Sequence, residues 1–183
     1  MQNDSDRFFV LTGGPGSGKT TLIEALRQAG FATSVEAGRG IIRDQIAIGG
    51  PALPWRDQAL FAELMLSWEL RSYQGAIEQK GPVFFDRGVP DTLGYLRLSG
   101  LAVPQHVSAA ADRFRYNSRV FSAPPWPEIF AQDEERKQTL DEAERTYHAL
   151  VGVYTELGYE LVPLPLAPVE ARLRIVLAEA GLI

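Results

Sequence analysis

Between Phe8 and Leu26 the chain reads FFVLTGGPGSGKTTLIEAL. Inside it, Gly13-Gly14-Pro15-Gly16-Ser17-Gly18-Lys19-Thr20 fits the phosphate-loop pattern G-x-x-x-x-G-K-[ST] at every fixed position. The pattern has meaning only at the turn from a strand into a helix, so it dictates what must flank it. Glycines let backbone N–H groups turn inward around an anion with no Cβ in the way. Lys19 is a compact charge that can reach β- and γ-phosphates. Thr20 offers a hydroxyl to Mg²⁺. The flanks agree: Phe8-Phe9-Val10-Leu11 reads as a buried parallel strand, and Leu22, Ile23 and Leu26 follow at helical spacing. A helix from Lys19 to Gln28 would aim its positive end at the phosphates. Gly13 to Thr20 (Gly13, Gly14, Pro15, Gly16, Ser17, Gly18, Lys19 and Thr20), with Thr21 after them, are the candidate contacts to ATP.

Beyond Gly30, a C′ glycine, strands and helices alternate to the end of the chain. Ala32 to Val35 reads as a second strand, Ile41 to Ile48 as a short helix, and Gly49 to Pro54 as its break. A long helix is expected from about Arg56 to Gln79, with Leu60, Phe61, Leu64, Met65, Trp68 and Ile77 as its core stripe. Val83-Phe84-Phe85-Asp86 reads as a strand ending in an acid. Helices from Asp91 to Ser99 and from Pro104 to Arg113 lead to a fourth strand, Ser118 to Ser122. Ala123 to Phe130, with prolines at 124, 125 and 127, is read as irregular, since proline removes backbone donors and fixes φ. Thr139-Leu140-Asp141-Glu142 has capping-box spacing for a helix running to about Glu156. Tyr159 to Pro165 is a fifth strand whose two prolines put it at an edge or its end. The last helix, Val169 to Ala180, carries Leu173, Val176 and Leu177 on one face. Such alternation predicts an α/β architecture with a parallel sheet covered on both faces.

Candidate site residues follow from that architecture, because ligands gather outside the carboxyl ends of parallel strands. Asp86, at a strand end after a phosphate loop, can hold the hydration shell of Mg²⁺ or accept a substrate proton. Arg87 beside it can contact substrate or phosphate. Glu36 and Arg39 lie just past the second strand and are candidate acceptor contacts; a surface ion pair at a helix start is the other reading. The segment 123–138 reads as a lid insertion, with Arg136 able to approach the phosphates.

Several classes are disfavoured by composition. A length of 183 residues is the size of one domain. The 45% hydrophobic and 22% charged content is that of a soluble globular chain. No apolar run approaches the roughly 20 residues a membrane helix needs, and polar Met1 to Arg7 does not read as a signal peptide. Without cysteine there is no disulfide framework, which fits a cytoplasmic protein. His106 and His148 read as surface or helix residues rather than a metal centre. The net charge of −5 argues against a broad nucleic-acid surface.

With Gly13 to Thr20, Asp86-Arg87 and the segment through Asp133 and Arg136 placed, the chain resembles the P-loop nucleoside and nucleotide kinases. More narrowly, it is similar to the small AAA-domain family of ATPases that includes the ribosylnicotinamide kinase domain of bacterial NAD-biosynthesis regulators. The resemblance covers nearly the whole length. It implies a P-loop NTPase three-layer sandwich with a five-stranded parallel sheet in the order 2-3-1-4-5. It departs from AAA+ motors in lacking length for their C-terminal helical domain and in ending a strand with Asp86-Arg87 instead of paired acids. No Asn-Lys-x-Asp run is present for reading guanine, so ATP is expected over GTP.

The expected activity is transfer of the γ-phosphoryl group of ATP, with Mg²⁺, to a small hydroxyl-bearing acceptor such as a nucleoside. Lys19, Asp86 and Arg136 are its catalytic candidates, Thr20 and Asp86 its metal contacts, and Glu36, Arg39 and Arg87 its acceptor contacts. Two other readings stay open. One is a nucleotide-dependent switch with slow hydrolysis. The other is a polynucleotide-end kinase, favoured if Arg113, Arg115 and Arg119 line one groove.

Overall fold

The computed structural model describes residues 4–130 and 138–183. Its centre follows from the pattern of β1 (Phe8–Gly13), in which every residue is buried. Successive side chains of a strand point to opposite faces. Phe8 and Val10 therefore enter one core with Tyr73, Phe85, Leu93, Tyr116 and Tyr154. Phe9 and Leu11 enter another with Leu22, Leu26, Phe84, Phe121 and Val176. A strand apolar on both faces must be covered on both, and helices supply the cover.

The other elements are α1 (Lys19–Gln28), β2 (Ala32–Thr33), α2 (Ala37–Ile48), α3 (Gln58–Ile77), β3 (Val83–Asp86), α4 (Val89–Leu98), α5 (Gln105–Arg113), β4 (Arg119–Ala123), α6 (Leu140–Glu156), β5 (Glu160–Pro163) and α7 (Val169–Glu179). The five strands run parallel in the order β2-β3-β1-β4-β5. This is the P-loop NTPase α/β fold, in the strand order the resemblance implied. α1 and α7 cover one face, and α3, α4, α5 and α6 the other. A smaller cluster of Ala37, Ile41, Ile42, Leu53, Phe61 and Met65 joins α2 to α3. β1 sits between β3 and β4, where the winding reverses direction, so a crevice opens beyond its carboxyl end. Among the described residues no helix is long and apolar enough to cross a membrane.

Four expectations need correction. The second strand covers only Ala32–Thr33; Ser34 instead gives its N–H to Phe84 O and receives the Asp86 N–H on Oγ, turning the chain out of the sheet. α2 begins at Ala37, four residues earlier than Ile41, with Glu36 as its N-cap residue. The core face of α3 differs in part from the expected stripe: Phe61 and Met65 are buried as expected, but Leu60 and Ile77 are 39% and 41% exposed, while Glu69 and Tyr73 are buried. Pro127–Ile129 forms a short 3₁₀ turn where irregular chain was expected. Its first position suits proline, whose missing N–H has no partner to lose there.

Candidate functional site

The phosphate loop joins β1 to α1. Gly16 and Gly18 hold φ at 70° and 79°, a region side-chain-bearing residues avoid. No side chain caps the start of α1, so its first N–H groups face the loop without a protein partner from that source. That arrangement fits an anion. Ser17 Oγ donates to Gly14 O at 2.8 Å, closing the loop on itself. Lys19 is buried, and its Nζ donates to Gly14 O at 3.4 Å. Burial, then the Arg87 charge, lowers the Lys19 pKa to about 8, while Asp86, Glu36 and Asp91 pull it upward. Thr20 and Thr21 are exposed on the first turn of α1.

The second half of the site is brought in by sheet register. Leu11 of β1 pairs with Asp86 of β3, which sets the strand-end acid beside the approach to the loop. Asp86 is only 5% exposed, and its Oδ1 is buried with no hydrogen-bond partner. Burial and the Glu36 charge raise its pKa to about 6 against the opposing pull of Lys19 and Arg87. A buried carboxylate oxygen without a donor is costly unless something else serves it. The chemistry of this set fits a hydrated Mg²⁺, which takes one or two carboxylates together with substrate phosphates instead of a protein cage. Thr20 and Asp86 are the residues that would hold it.

Arg87 turns the chain sharply after β3. Its φ is 72°, the one positive value outside glycine among the described residues, and its N–H donates to Leu11 O at 2.9 Å. Strain of this kind persists only where the surroundings over-determine it. Here the guanidinium is tied on two sides, with Nε 3.4 Å from Glu36 Oε1 and Nη1 3.3 Å from Asp91 Oδ1. Burial alone would lower the Arg87 pKa, but Glu36, Asp91 and Asp86 outweigh it and hold the charge. Glu36 also meets Arg39 at 3.8 Å. Glu36 and Arg39 thus form an ion pair at a helix start, and both line a cavity of about 580 Å³. That cavity runs from Pro15 of the loop, past Arg87, to Phe61, Glu69 and Tyr95.

Asp91 was read from sequence only as a helix start. In the structure it is the buried hub of the site. Its Oδ1 accepts from Thr12 Oγ1 at 2.7 Å, and its Oδ2 from Tyr154 Oη at 2.6 Å and Gly88 N–H at 2.9 Å. The bond to Gly88 is half of a capping box, with glycine unable to return it. Arg172 was also missed. It is 2% exposed at the start of α7 and donates to Ser17 O at 2.8 Å, bracing the loop from behind.

Arg136 and Asp133 lie outside the described residues. The described part of the segment, up to Phe130, rests on the phosphate loop. A Cβ at Gly16 would come within 2.5 Å of the Phe130 ring, and one at Gly18 within 3.3 Å of Ile129 Cδ1. Arg172 lies over the Trp126 ring, 5.5 Å from its centre. Trp126 therefore reports on the loop. With Trp55 and Trp68 replaced by phenylalanine, adding a non-hydrolysable ATP analogue and Mg²⁺ should shift Trp126 fluorescence; an unchanged signal at saturation removes the lid assignment.

Of the three arginines proposed for a polynucleotide groove, Arg115 and Arg119 are engaged within the fold. Arg115 donates to Leu157 O at 2.8 Å and covers the Tyr159 ring at 4.1 Å. Arg119, at the start of β4 and so at the sheet end opposite the loop, is paired with Glu179 and Glu160. His106 pairs with Glu63 on the surface at 2.8 Å.

A family model described as "AAA domain" matches residues 8–172. No curated protein sequence matches the chain. Among solved structures, the NadR protein in complex with NR aligns with a TM-score of 0.67 at 16% identity, over 96% of this chain and 51% of that one. The NadR protein in complex with NAD and AMP-PNP aligns with the same score at 18% identity, over 96% and 49%. This chain thus spans about half the length of the NadR chains it matches. Deoxyadenosine kinase from M. mycoides, solved with its products dCMP and dCDP, aligns with a TM-score of 0.58 at 12% identity, over 96% and 100%.

Proposed function

This chain belongs to the AAA-domain family, and from that premise we propose that it transfers the γ-phosphoryl group of ATP to a hydroxyl of a small acceptor of the nucleoside class. The observation that carries this reading is the unpartnered, buried Oδ1 of Asp86 at the end of β3, next in sequence to Arg87, which lines a cavity together with Glu36 and Arg39. The cavity of about 580 Å³ reaches from Pro15 of the loop to Phe61 and Tyr95, which leaves room for an acceptor besides the nucleotide. The kinases among the aligned structures support the same class.

Phosphoryl transfer needs little covalent work from the protein, and positioning with charge stabilisation supplies most of the rate. Lys19 holds the β- and γ-phosphates and neutralises charge as it shifts toward the leaving oxygen. Arg136 does the same from the lid side. Glu36, Arg39 and Arg87 orient the acceptor. Asp86 directs the acceptor hydroxyl and takes its proton as the new O–P bond forms and the bond to ADP breaks. Thr20 and Asp86 would hold Mg²⁺, which would supply positive charge to the phosphates. The engagement of Arg115 and Arg119 in contacts of their own favours a small acceptor over a polynucleotide one.

The test is direct. ATP labelled on its γ-phosphate is incubated with protein, Mg²⁺ and a panel of nucleosides, and labelled acceptor is sought by mass. Release of inorganic phosphate with every acceptor unlabelled would replace this reading with a switch or ATPase. The same assay carries a pH signature. Asp86 must be ionised and Lys19 protonated, so kcat/KM for ATP should rise through pH about 6 and fall through pH about 8. A flat profile across that range would remove both groups from the mechanism.

A further inference from the structure

One turn into α7, beside the phosphate loop, lies a buried cation that the proposed transfer does not use. Arg172 is 2% exposed. Its Nη1 donates to Ser17 O at 2.8 Å, while Nε and Nη2 are buried with no hydrogen-bond partner among the described residues. Burial lowers its pKa, with no carboxylate among the described residues set against that shift. A Cβ on Gly18 would come within 2.6 Å of Nη1, 3.3 Å of Ile129 Cδ1 and 3.8 Å of Trp126 Cε3, so the three side chains converge on one peptide. A guanidinium with two idle donors, close to the positive ends of α1 and α7, is a burden on the fold. A methionine would fill the same space at lower cost.

The one bond that Arg172 does make decides the direction of a peptide group. Gly18 sits at φ 79° and ψ 13°, the angles of the third residue of a type II turn. In the type I counterpart the peptide before that residue is reversed, and a glycine passes between the two with no Cβ in the way. Here that peptide joins Ser17 to Gly18. It is trans, so its C=O and N–H point to opposite sides. With the carbonyl drawn out to Arg172, the N–H is turned the other way, and no backbone group among the described residues takes it up. Reversed, the same peptide would aim its carbonyl oxygen into the hollow of the loop, where an anion must sit.

Resting on the reading of this loop as a nucleotide site, we propose that Arg172 is a positioning residue that locks the Ser17–Gly18 peptide with its N–H facing the polyphosphate, and so keeps the empty loop in its anion-binding form. Arg172 acts through that peptide, and the phosphates meet the Gly18 N–H. The chemistry recognised is a chain of phosphates and not a base or a ribose, so inorganic tripolyphosphate is a sufficient probe. Without the guanidinium the peptide divides between its two directions, and affinity falls with the fraction that faces the right way. A plain tether fastening α7 to the loop would leave the direction of the peptide, and the affinity, as they are.

The experiment combines calorimetry with magnetic resonance on the whole chain, labelled with ¹³C at serine carbonyls and ¹⁵N at glycine by cell-free synthesis. Ser17–Gly18 and Ser99–Gly100 are the two Ser–Gly pairs in the sequence, so a spectrum selecting that bond holds two signals. Gly100, whose N–H goes to Arg97 O after α4, is the internal control. In the wild type, tripolyphosphate with Mg²⁺ should move the Gly18 amide proton downfield and leave Gly100 in place. In Arg172→Met the Ser17 carbonyl signal should shift before any ligand is added, because its donor is gone. Affinity of that variant for tripolyphosphate should fall by about tenfold or more, the worth of one hydrogen bond to a charged group. Equal affinity in the two proteins, or a Ser17 carbonyl signal unmoved by the substitution, would overturn the assignment and leave phosphotransfer standing. If Arg172→Met does not fold, the wild type decides by itself: a Gly18 amide that stays put while tripolyphosphate binds overturns the assignment, and one that moves downfield supports it. A wild type that binds neither tripolyphosphate nor an ATP analogue would overturn the nucleotide reading as well.

Discussion

Changing Asp86 to asparagine should lower turnover by about 10²-fold or more, the scale of a lost positioned base, while ATP affinity measured without Mg²⁺ stays nearly unchanged. The substitution keeps the shape of the side chain and the backbone bond from Asp86 N–H to Ser34 Oγ, so the end of β3 keeps its place. What disappears is the charge and the basic oxygen on Oδ1. Stability provides the control. The pKa of Asp86 is raised from 3.8 to about 6 on folding, so the native state holds its proton more tightly than the unfolded chain. Linkage then makes its contribution most favourable below pH about 4 and lost as pH rises through about 6. At pH 7 the ionised wild-type group is therefore a burden on the fold that asparagine relieves. Asp86→Asn should unfold no more easily than the wild type at pH 7, with the gap narrowing in acid. A mutant that keeps most of its turnover on the labelled acceptor would make Asp86 a structural residue.

Asp91→Ala should instead damage the fold itself, by about 3–5 kcal/mol, the range for removing one partner of a buried charged network. Four donors lose their acceptor at once: Thr12, Tyr154, Gly88 and Arg87. Those donors come from β1, α6, the α4 cap and the turn after β3, so one carboxylate ties four parts of the chain together. Asp91→Asn keeps an acceptor oxygen and should cost markedly less. Urea unfolding followed by circular dichroism measures both, and a loss below about 1 kcal/mol for Asp91→Ala would show that the surroundings collapse to satisfy the orphaned groups. Because Arg87 would also lose one of its two tethers, turnover in this variant should fall even at temperatures where it is folded.

Local rules carried the reading of the fold a long way. The order of strands and helices, the phosphate loop and the strand-end position of Asp86 all follow from runs of fewer than about ten residues whose periodicity is unambiguous. What escaped depends on partners distant in sequence. Asp91 at a helix start looks like any capping acid; its burial is decided by Thr12 and Tyr154, which lie 79 and 63 positions away. The expected stripe of α3 was right at Phe61 and Met65 but not at Leu60 and Ile77, and it left out Glu69 and Tyr73, whose burial is set by tertiary neighbours. Arg172 gave no signal at all, since an arginine near the start of an amphipathic helix is ordinary until Ser17 O is found beside it. The Ala37-Gly38-Arg39-Gly40 run lay before the helix expected from Ile41, yet it is helical because Ala37 and Ile41 pack on Phe61 and Met65. Tertiary packing overrides propensity there.

The two outer strands carry a consequence for how copies of this chain meet. β2 is two residues long, and β5 ends in Pro163, which has no N–H to offer a neighbour. An incoming strand finds too few free backbone groups on either side to form a ladder, and ladder growth is the usual route from a native sheet to ribbon-like aggregates. Crowded or mildly warmed samples should therefore stay free of cross-β material as long as the sheet is intact, and any association between native copies must run through helix surfaces.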